Sequence, residues 1–445
     1  MEPVRALRSP RTWLMPILLI AALAAALPAV YLAATADPQG HLQGLPVALV
    51  IEEQQPSTAP SAAEQVAAAI ESNVGGAIST VRMTSAELAV AMSEDRVAGA
   101  VVVPPDFNAS LASLSSIGTE PFRSTVKVAT NAGDGGLSAG LVTANLLPVL
   151  QEVSAMLGQQ LIAAADAPPD GAYRALLADP FAAAAAPYAP LPPNSGLGTS
   201  AFYFSLIVVL IAFIGASLVN PLVDSALGVI PSELGPLVAR QRYTAVSRRR
   251  TFLAKCAILA GAAPVAAGVL LGVSALIGVT VGDPAILWLF STVVIAAIGT
   301  SALAVFAILG PGIGSLANTL FFVALAMVSS GGIVPLEATP SPFQWVSGVT
   351  PFRHVIDGVR ALFYFDGNLA AGLGEAWISA AIGGAVGLTV GLLATTIYGR
   401  YPRFSRDPRA VHGHPGSVDG VPRLPGEGQS VPAADGIERS ASRSR

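Results

Sequence analysis

The sequence predicts an all-α polytopic membrane domain of six transmembrane helices, with an extracytoplasmic α/β domain inserted between helices one and two. Three observations carry this expectation. The 445 residues are 53% hydrophobic and only 12% charged, with a mean hydropathy of +0.62, the balance of a chain that crosses lipid repeatedly. Six runs approach the roughly 20 apolar residues a bilayer core requires: 13–34, 201–219, 257–281, 286–309, 313–330 and 377–398, all without Asp, Glu, Lys, Arg or His. Between the first two runs lies a long segment, 35–200, that alternates strand and helix patterns instead.

The basic residues orient these runs. Arg5, Arg8 and Arg11 precede the first, Arg240 to Lys255 separate the second from the third, and eight Arg follow the sixth. With six alternating spans all three regions share one side, which the positive-inside rule makes cytoplasmic. That side holds 17 basic and 8 acidic residues, whereas 35–200 holds 5 basic and 15 acidic and falls outside. The net charge of −4 therefore conceals a strong asymmetry. The single cysteine, Cys256, forbids an internal disulfide, so the outer domain must fold on packing alone. Arg outnumbers Lys 22 to 2 amid abundant Ala and Gly, a composition that points to a high-GC bacterial source. The "ATAD" at 34–37 imitates a secretory cleavage site, but the preceding run is longer than a signal h-region of about 7–15 residues, and retention as an anchor is expected.

Within 35–200, "LPVALVIEE" (45–53), "AISTVRM" (77–83), "AGAVVVPPDF" (98–107) and "STVKVAT" (124–130) read as strands. Helices are expected at 61–73, at 84–95 behind a Thr84/Glu87 capping box, and at 137–165 with a leucine stripe and a kink at Pro148. "DPFAAAAAPYAPLPPNSG" (179–196) reads as an Ala/Pro linker back to the membrane. The resulting division is 1–34 cytoplasmic N-terminus and first helix, 35–200 outer domain with linker, 201–398 five-helix membrane domain, and 399–445 cytoplasmic tail. The membrane domain includes a cytoplasmic loop, 220–250, and an outer re-entrant or interfacial segment, 331–367. The tail is rich in Pro, Gly, Ser and Arg and is expected to be disordered; its His412 and His414 make no metal site by themselves.

Enzymatic chemistry finds no footing. There is no G-x-x-x-x-G-K-[ST] nucleotide loop, and no triad, metal cluster or paired-carboxylate motif, so neither a cofactor nor a metal is expected. The runs carry no ionisable group of the kind that ion-coupled transporters place in lipid. Asn318 in the fifth run is expected to hydrogen-bond another helix.

The order of segments resembles the type-2 permeases of ABC exporters and the related YhgE/Pip (phage infection protein) family. "LPVALVIEE" is similar to the family's first outer strand, "AELAVAMSEDRVAGAVVVPPDFNASL" to its following helix-strand segment, and "GGIVPLEATPSPFQWVSGVTPFRHVIDGVRALFYFDG" to the loop and helix before the last span. Where the family often has Asn-Glu-Asp after its first strand, this chain has Ile51, Glu52 and Glu53. The resemblance implies a homodimeric or heterodimeric permease in the lipid bilayer. A separate cytoplasmic ATPase would dock on the 220–250 loop, where Glu233, Arg240, Arg242 and Arg248 are the candidate contacts, and a substrate would move outward; with no charged cavity expected among the runs, a hydrophobic or amphipathic cargo is expected over an ion. The YhgE/Pip branch implies instead a surface protein that serves as a phage receptor or in a secretion complex.

"TPFRHVIDGVRALFYFDG" (350–367) is the most pointed segment. Thr350 and Pro351 should start a helix. Phe352, Val355, Ile356, Val359 and Phe363 share one face, and Arg353, Asp357, Arg360 and Tyr364 share another, with Asp357 spaced to bridge both arginines. Too short and too charged to cross, the helix is expected at the outer surface. It is either an interfacial lid or an outer gate in which Arg353, Asp357 and Arg360 meet lipid headgroups or an anionic amphiphile.

Overall fold

A computed structural model of the chain describes residues 10–52, 61–115, 120–164, 171–234, 236–239, 241–401 and 404. Arg5, Arg8, Glu53, Arg240 and most of the expected disordered tail, with His412 and His414, lie outside the described residues.

After helix α1 (Pro10–Thr35), strand β1 (Leu45–Ile51) takes the second position of a five-stranded sheet. The other strands are β2 (Ile78–Met83), β3 (Gly99–Val103), β4 (Ser124–Thr130) and β5 (Phe181–Pro187), in the order β2-β1-β3-β4-β5. β1 is parallel to β2 and β3, β4 is antiparallel to β3, and β5 is parallel to β4. Helix α2 (Ala62–Asn73) starts on Ser61, whose hydroxyl accepts from the Glu64 amide. The expected capping box opens α3 (Ser85–Ser93): Thr84 Oγ1 accepts from Glu87 N at 3.2 Å, and Glu87 Oε2 accepts from Thr84 N at 2.8 Å. One sheet face is covered by α2, by α4 (Phe107–Ser115) and by α5 (Gly136–Ala164), around Leu45, Val47, Val101, Val126 and Leu146. The other face is covered by α3, through Leu88, Ala91 and Met92 against Ala48 and Val50.

One expectation changes here. The Ala/Pro stretch is no plain linker: after α6 (Gly171–Ala178), residues 181–187 pair with all seven residues of β4 as β5. Alanine side chains suit an edge where little needs covering, and Arg123 ties the strand's start to β4 by donating to the Phe181 carbonyl. Helix α5 continues through Pro148, the expected position of its kink, as a single helix. Pro148 sits on the exposed side, where the carbonyl it leaves unbonded can turn outward.

The chain then builds a helical body: α7 (Ser200–Ala226), α8 (Arg248–Ile277), the run Pro284–Val328 and α12 (Leu373–Arg400), with the short α11 (Pro351–Tyr364) across one end. The 45-residue run is two antiparallel limbs, α9 (284–309) and α10 (311–328), folded at Gly310, whose φ of 75° and ψ of 177° no helix contains. Asn318 Nδ2 donates to the Ala302 carbonyl at 3.1 Å, eight residues either side of the fold, so the expected interhelical bond closes this hairpin. With the run counted as two limbs, α1, α7, α8, α9, α10 and α12 match the six runs of the sequence. α5, although long and apolar enough to cross, spends its apolar stripe on the sheet. Residues 319–325 form a π-helical turn in α10.

The expected 220–250 loop is shorter, because α7 continues to Ala226 and α8 begins at Arg248. Lys255 holds these helix ends together. Its Nζ lies 2.8 Å from Asp224 Oδ1 and donates to Asn220 Oδ1 at 2.7 Å, with the ammonium side chain buried. Between them lies a two-stranded hairpin, β6 (Ser232–Leu234) and β7 (Leu237–Ala239).

Candidate functional site

The body and the sheet meet on α11. Its apolar face is buried as expected, Phe352, Val355, Ile356, Val359 and Phe363 all lying in the core of the body. Phe352 and Phe363 reach Phe202 and Phe204 of α7 at ring distances of 6.1 and 5.4 Å. Pro351 opens the helix, but Thr350 does not cap it: its hydroxyl lies 3.2 Å from Ser329 Oγ instead.

The charged face departs from the expected bridge. Asp357 lies 3.7 Å from Arg353, but Arg360 turns away to Asp134, in the turn between β4 and α5 and 226 positions earlier. Arg360 is only 4% exposed. Its Nη1 donates to Asp134 Oδ1 at 3.1 Å, and Nη2 donates to the Asp134 carbonyl at 2.6 Å and to the Gly332 and Gly331 carbonyls at 3.3 and 3.4 Å. Ser138 donates to the second Asp134 oxygen. A planar guanidinium is the one side chain that can fork across so many oxygens. Arg360 therefore fastens the sheet to the body and does not face headgroups, whereas Arg353 remains largely exposed.

Further contacts repeat this attachment. Gly133 lets the tip of the Phe365 ring reach the turn, since a Cβ there would meet Phe365 Cζ at 2.6 Å. Asn368 Nδ2 donates to the Ser93 carbonyl, and Gln43 N donates to the Glu337 carbonyl. Val334 and Ala338, from the connector after α10, are buried in the sheet's own core.

Around Arg360 a cavity of about 300 Å³ is walled by both parts of the chain. Its charged lining is Glu94, Asp95, Arg96 and Asp134 from the sheet side, and Glu337, Arg353, Asp357, Arg360 and Glu375 from the body. Burial, reinforced by the Asp134 carboxylate, pushes Asp95 up to about 8. Burial pushes Asp357 up to about 6 against the pull of Arg360 and Arg353. Burial likewise raises Glu337, and it lowers His354. The carboxylates do not converge as ligands do: among the described residues no group of three or more His, Cys, Asp or Glu could hold a metal ion. Sequence reading reached Arg353, Asp357 and Arg360 but not Asp95, Asp134, Glu337 or Glu375. The turn "NAGDGG" at 131–136 was the one local signal, and nothing in it names a partner 226 positions away.

Beside this cavity an apolar groove of about 660 Å³ runs between α9, α10 and α12. Phe321 and Phe322, from the π-helical turn, and Ile378, Ile382, Val386 and Val390 of α12 form much of its wall. Polar groups gather at one end, where His354 Nδ1 lies 3.9 Å from Glu375 Oε2. Glu375 lines both cavities.

At the opposite end of the body, Arg242 is exposed in the segment leading to α8. Arg248 sits 6.0 Å from the Tyr398 ring and donates to the Phe404 carbonyl, so it ties helix ends together. Glu233 falls in β6 of the hairpin.

Helices of this length and apolarity around a charged seam define a multi-pass membrane protein that carries a mixed sheet. The sequence profile of the ABC-2 family transporter proteins matches residues 11–394, and the chain belongs to that family, the membrane permeases of ABC transporters. No curated protein and no solved structure matches the chain.

Proposed function

We propose that the chain is the permease subunit of an exporter that moves a hydrophobic or amphipathic substrate outward, driven by a separate cytoplasmic ATPase. The observation that carries this reading is the family match over nearly all the helical body and the sheet, supported by where the charge lies. The ends of α8 and α12 away from the sheet carry Arg248, Arg249, Arg250 and Arg400, and the segment between α7 and α8 carries Arg242. The positive-inside rule puts those ends, both termini and the β6–β7 hairpin in the cytoplasm, and the sheet domain, inserted between the first two spans, outside. The hairpin segment then offers the ATPase its dock through Glu233, Arg240 and Arg242, with Arg248 setting the base. Two copies, or one copy with a homologous partner, complete the translocator. The absence of a nucleotide loop in this chain assigns hydrolysis to the partner.

Purification from native membranes after crosslinking tests this. A P-loop subunit without spans is expected to co-purify, and charge reversal at Arg240 and Arg242 should reduce its recovery at least tenfold without changing the abundance of this chain. Recovery of no such subunit, or of an unchanged amount from the reversed variant, overturns the docking assignment. A secretion complex recovered in its place favours the non-transporting, phage-receptor-like or secretion-complex reading.

A further inference from the structure

We propose that the groove between α9, α10 and α12 and the acidic cavity beside it form one binding site for a lipophilic cation, its apolar body in the groove and its positive head at Glu375. The inference deepens the permease reading and rests on it for the purpose of the site, although binding itself requires no ATPase.

The groove has the shape for an apolar body. Ile378, Ile382, Val386 and Val390 recur every fourth residue on α12, a stripe of about 18 Å at 1.5 Å per residue. Between spans the lipid tails are as apolar as this wall, so an apolar body gains there by close packing against the groove.

The charge at the mouth selects the head. Each guanidinium of the cavity already has its carboxylate: Arg360 has Asp134 at 3.1 Å, Arg353 has Asp357 at 3.7 Å and Arg96 has Glu94 at 2.7 Å. Among the described residues, Asp95, Glu337 and Glu375 have no arginine of their own within salt-bridge distance. Asp95 receives a neutral amide, from Asn131 at 2.7 Å. Glu375 lies 3.9 Å from His354, whose ring burial and the neighbouring Arg353 push toward the neutral form. Burial chiefly, and the Asp134 carboxylate after it, raises Asp95 and Glu337, and six acidic side chains against three arginines in the lining leave a negative field at the mouth. A cation entering at Glu375 relieves this field, an anion of the same shape is repelled by it, and a neutral ligand gains from the groove alone.

The test compares tetraphenylphosphonium with tetraphenylborate, ions of one shape and opposite sign. Equilibrium dialysis against the full chain in zwitterionic nanodiscs, with empty discs subtracted, should give saturable phosphonium binding at least tenfold tighter than that of borate. Glu375→Gln should weaken phosphonium binding about fivefold without weakening borate binding. Val386→Trp, at an exposed groove position, should abolish phosphonium binding while elution and thermal stability stay unchanged. Equal binding of the two ions overturns the proposal, as does an unaltered affinity in either variant. So does conversion of a dimer to a monomer by Val386→Trp, which would show that a second copy fills the groove. Phosphonium binding without ATP-driven transport sinks the permease reading and leaves the site. ATP-driven export of another cargo, without phosphonium binding, sinks the site and leaves the permease.

Discussion

Arg353 and Arg360 stand seven positions apart on one helix and do unequal work. Arg360 is buried and forked across Asp134 and two further carbonyls, and removing it leaves a largely buried carboxylate held by Ser138 alone. Breaking one side of a buried pair costs about 3–5 kcal/mol. The partial exposure of Asp134 places Arg360→Met toward the lower end of that range. Arg360→Lys should recover little, because a single ammonium cannot span the same oxygens. Arg353, exposed and 3.7 Å from Asp357, should change stability by no more than about 0.5 kcal/mol on conversion to Ala. Thermal unfolding in detergent, with limited proteolysis of the sheet, separates the two. Equal midpoints for Arg360→Met and Arg353→Ala would remove Arg360 from its role as the fastening.

Elements that depend on local pattern were open to sequence reading, and those that depend on a distant partner were not. The six apolar runs were legible because lipid demands length and apolarity of each one separately, and the break at Gly310 and Pro311 divided the fourth from the fifth. The capping box at Thr84 was legible for the same local reason. β5 was not, since "FAAAAAP" has no alternation and becomes a strand only because β4 offers it an edge. The face of α11 that meets α12 was half legible: its apolar stripe follows the helical period, but the closeness of the neighbour does not. At Gly358 a Cβ would lie 2.7 Å from Ala376 Cβ and 2.7 Å from Phe290 Cζ. Gly358→Ala should therefore destabilise the body by about 1–3 kcal/mol through overpacking, although alanine favours a helix by about 1 kcal/mol. At Gly383 on α12 a Cβ meets nothing within 4 Å, so Gly383→Ala should be neutral or stabilising. Melting temperatures that moved in the same direction for both would show that helix propensity, not contact between α11 and α12, governs Gly358.

For the whole molecule, the attachment of the sheet to the body should depend on pH, because the seam between them is where carboxylates are hardest to ionise. Asp95 and Asp357 hold their protons more tightly in the folded protein, up to about 8 and about 6, than in the unfolded chain, where an aspartate titrates near 4. Below about pH 4 both states are protonated and the full contribution is present. As pH rises, the unfolded chain releases these protons first, so stability falls through about 6 for Asp357 and about 8 for Asp95. Glu71 acts in the opposite sense, since its hydrogen bond from Arg82 lowers it, and its contribution is lost only as pH falls in the acid range. Across pH 6 to 8.5 Asp95 is the group whose value lies within the interval, while Glu337, also raised by burial, acts in the same sense and His354, lowered by burial, acts in the opposite sense at the acid end. The Asp95 φ of 54° is one that asparagine tolerates better than most residues, and an asparagine oxygen can still accept from Asn131. Asp95→Asn should thus keep the turn and abolish this group's titration: the wild-type melting temperature, and protection of the seam against proteolysis, should decline from pH 6 to 8.5, while the variant declines less. Parallel profiles would transfer the pH dependence to another group of the seam, because Glu94, Arg96, Asp134, Glu337, Arg353, Asp357, Arg360 and Glu375 all face the same cavity.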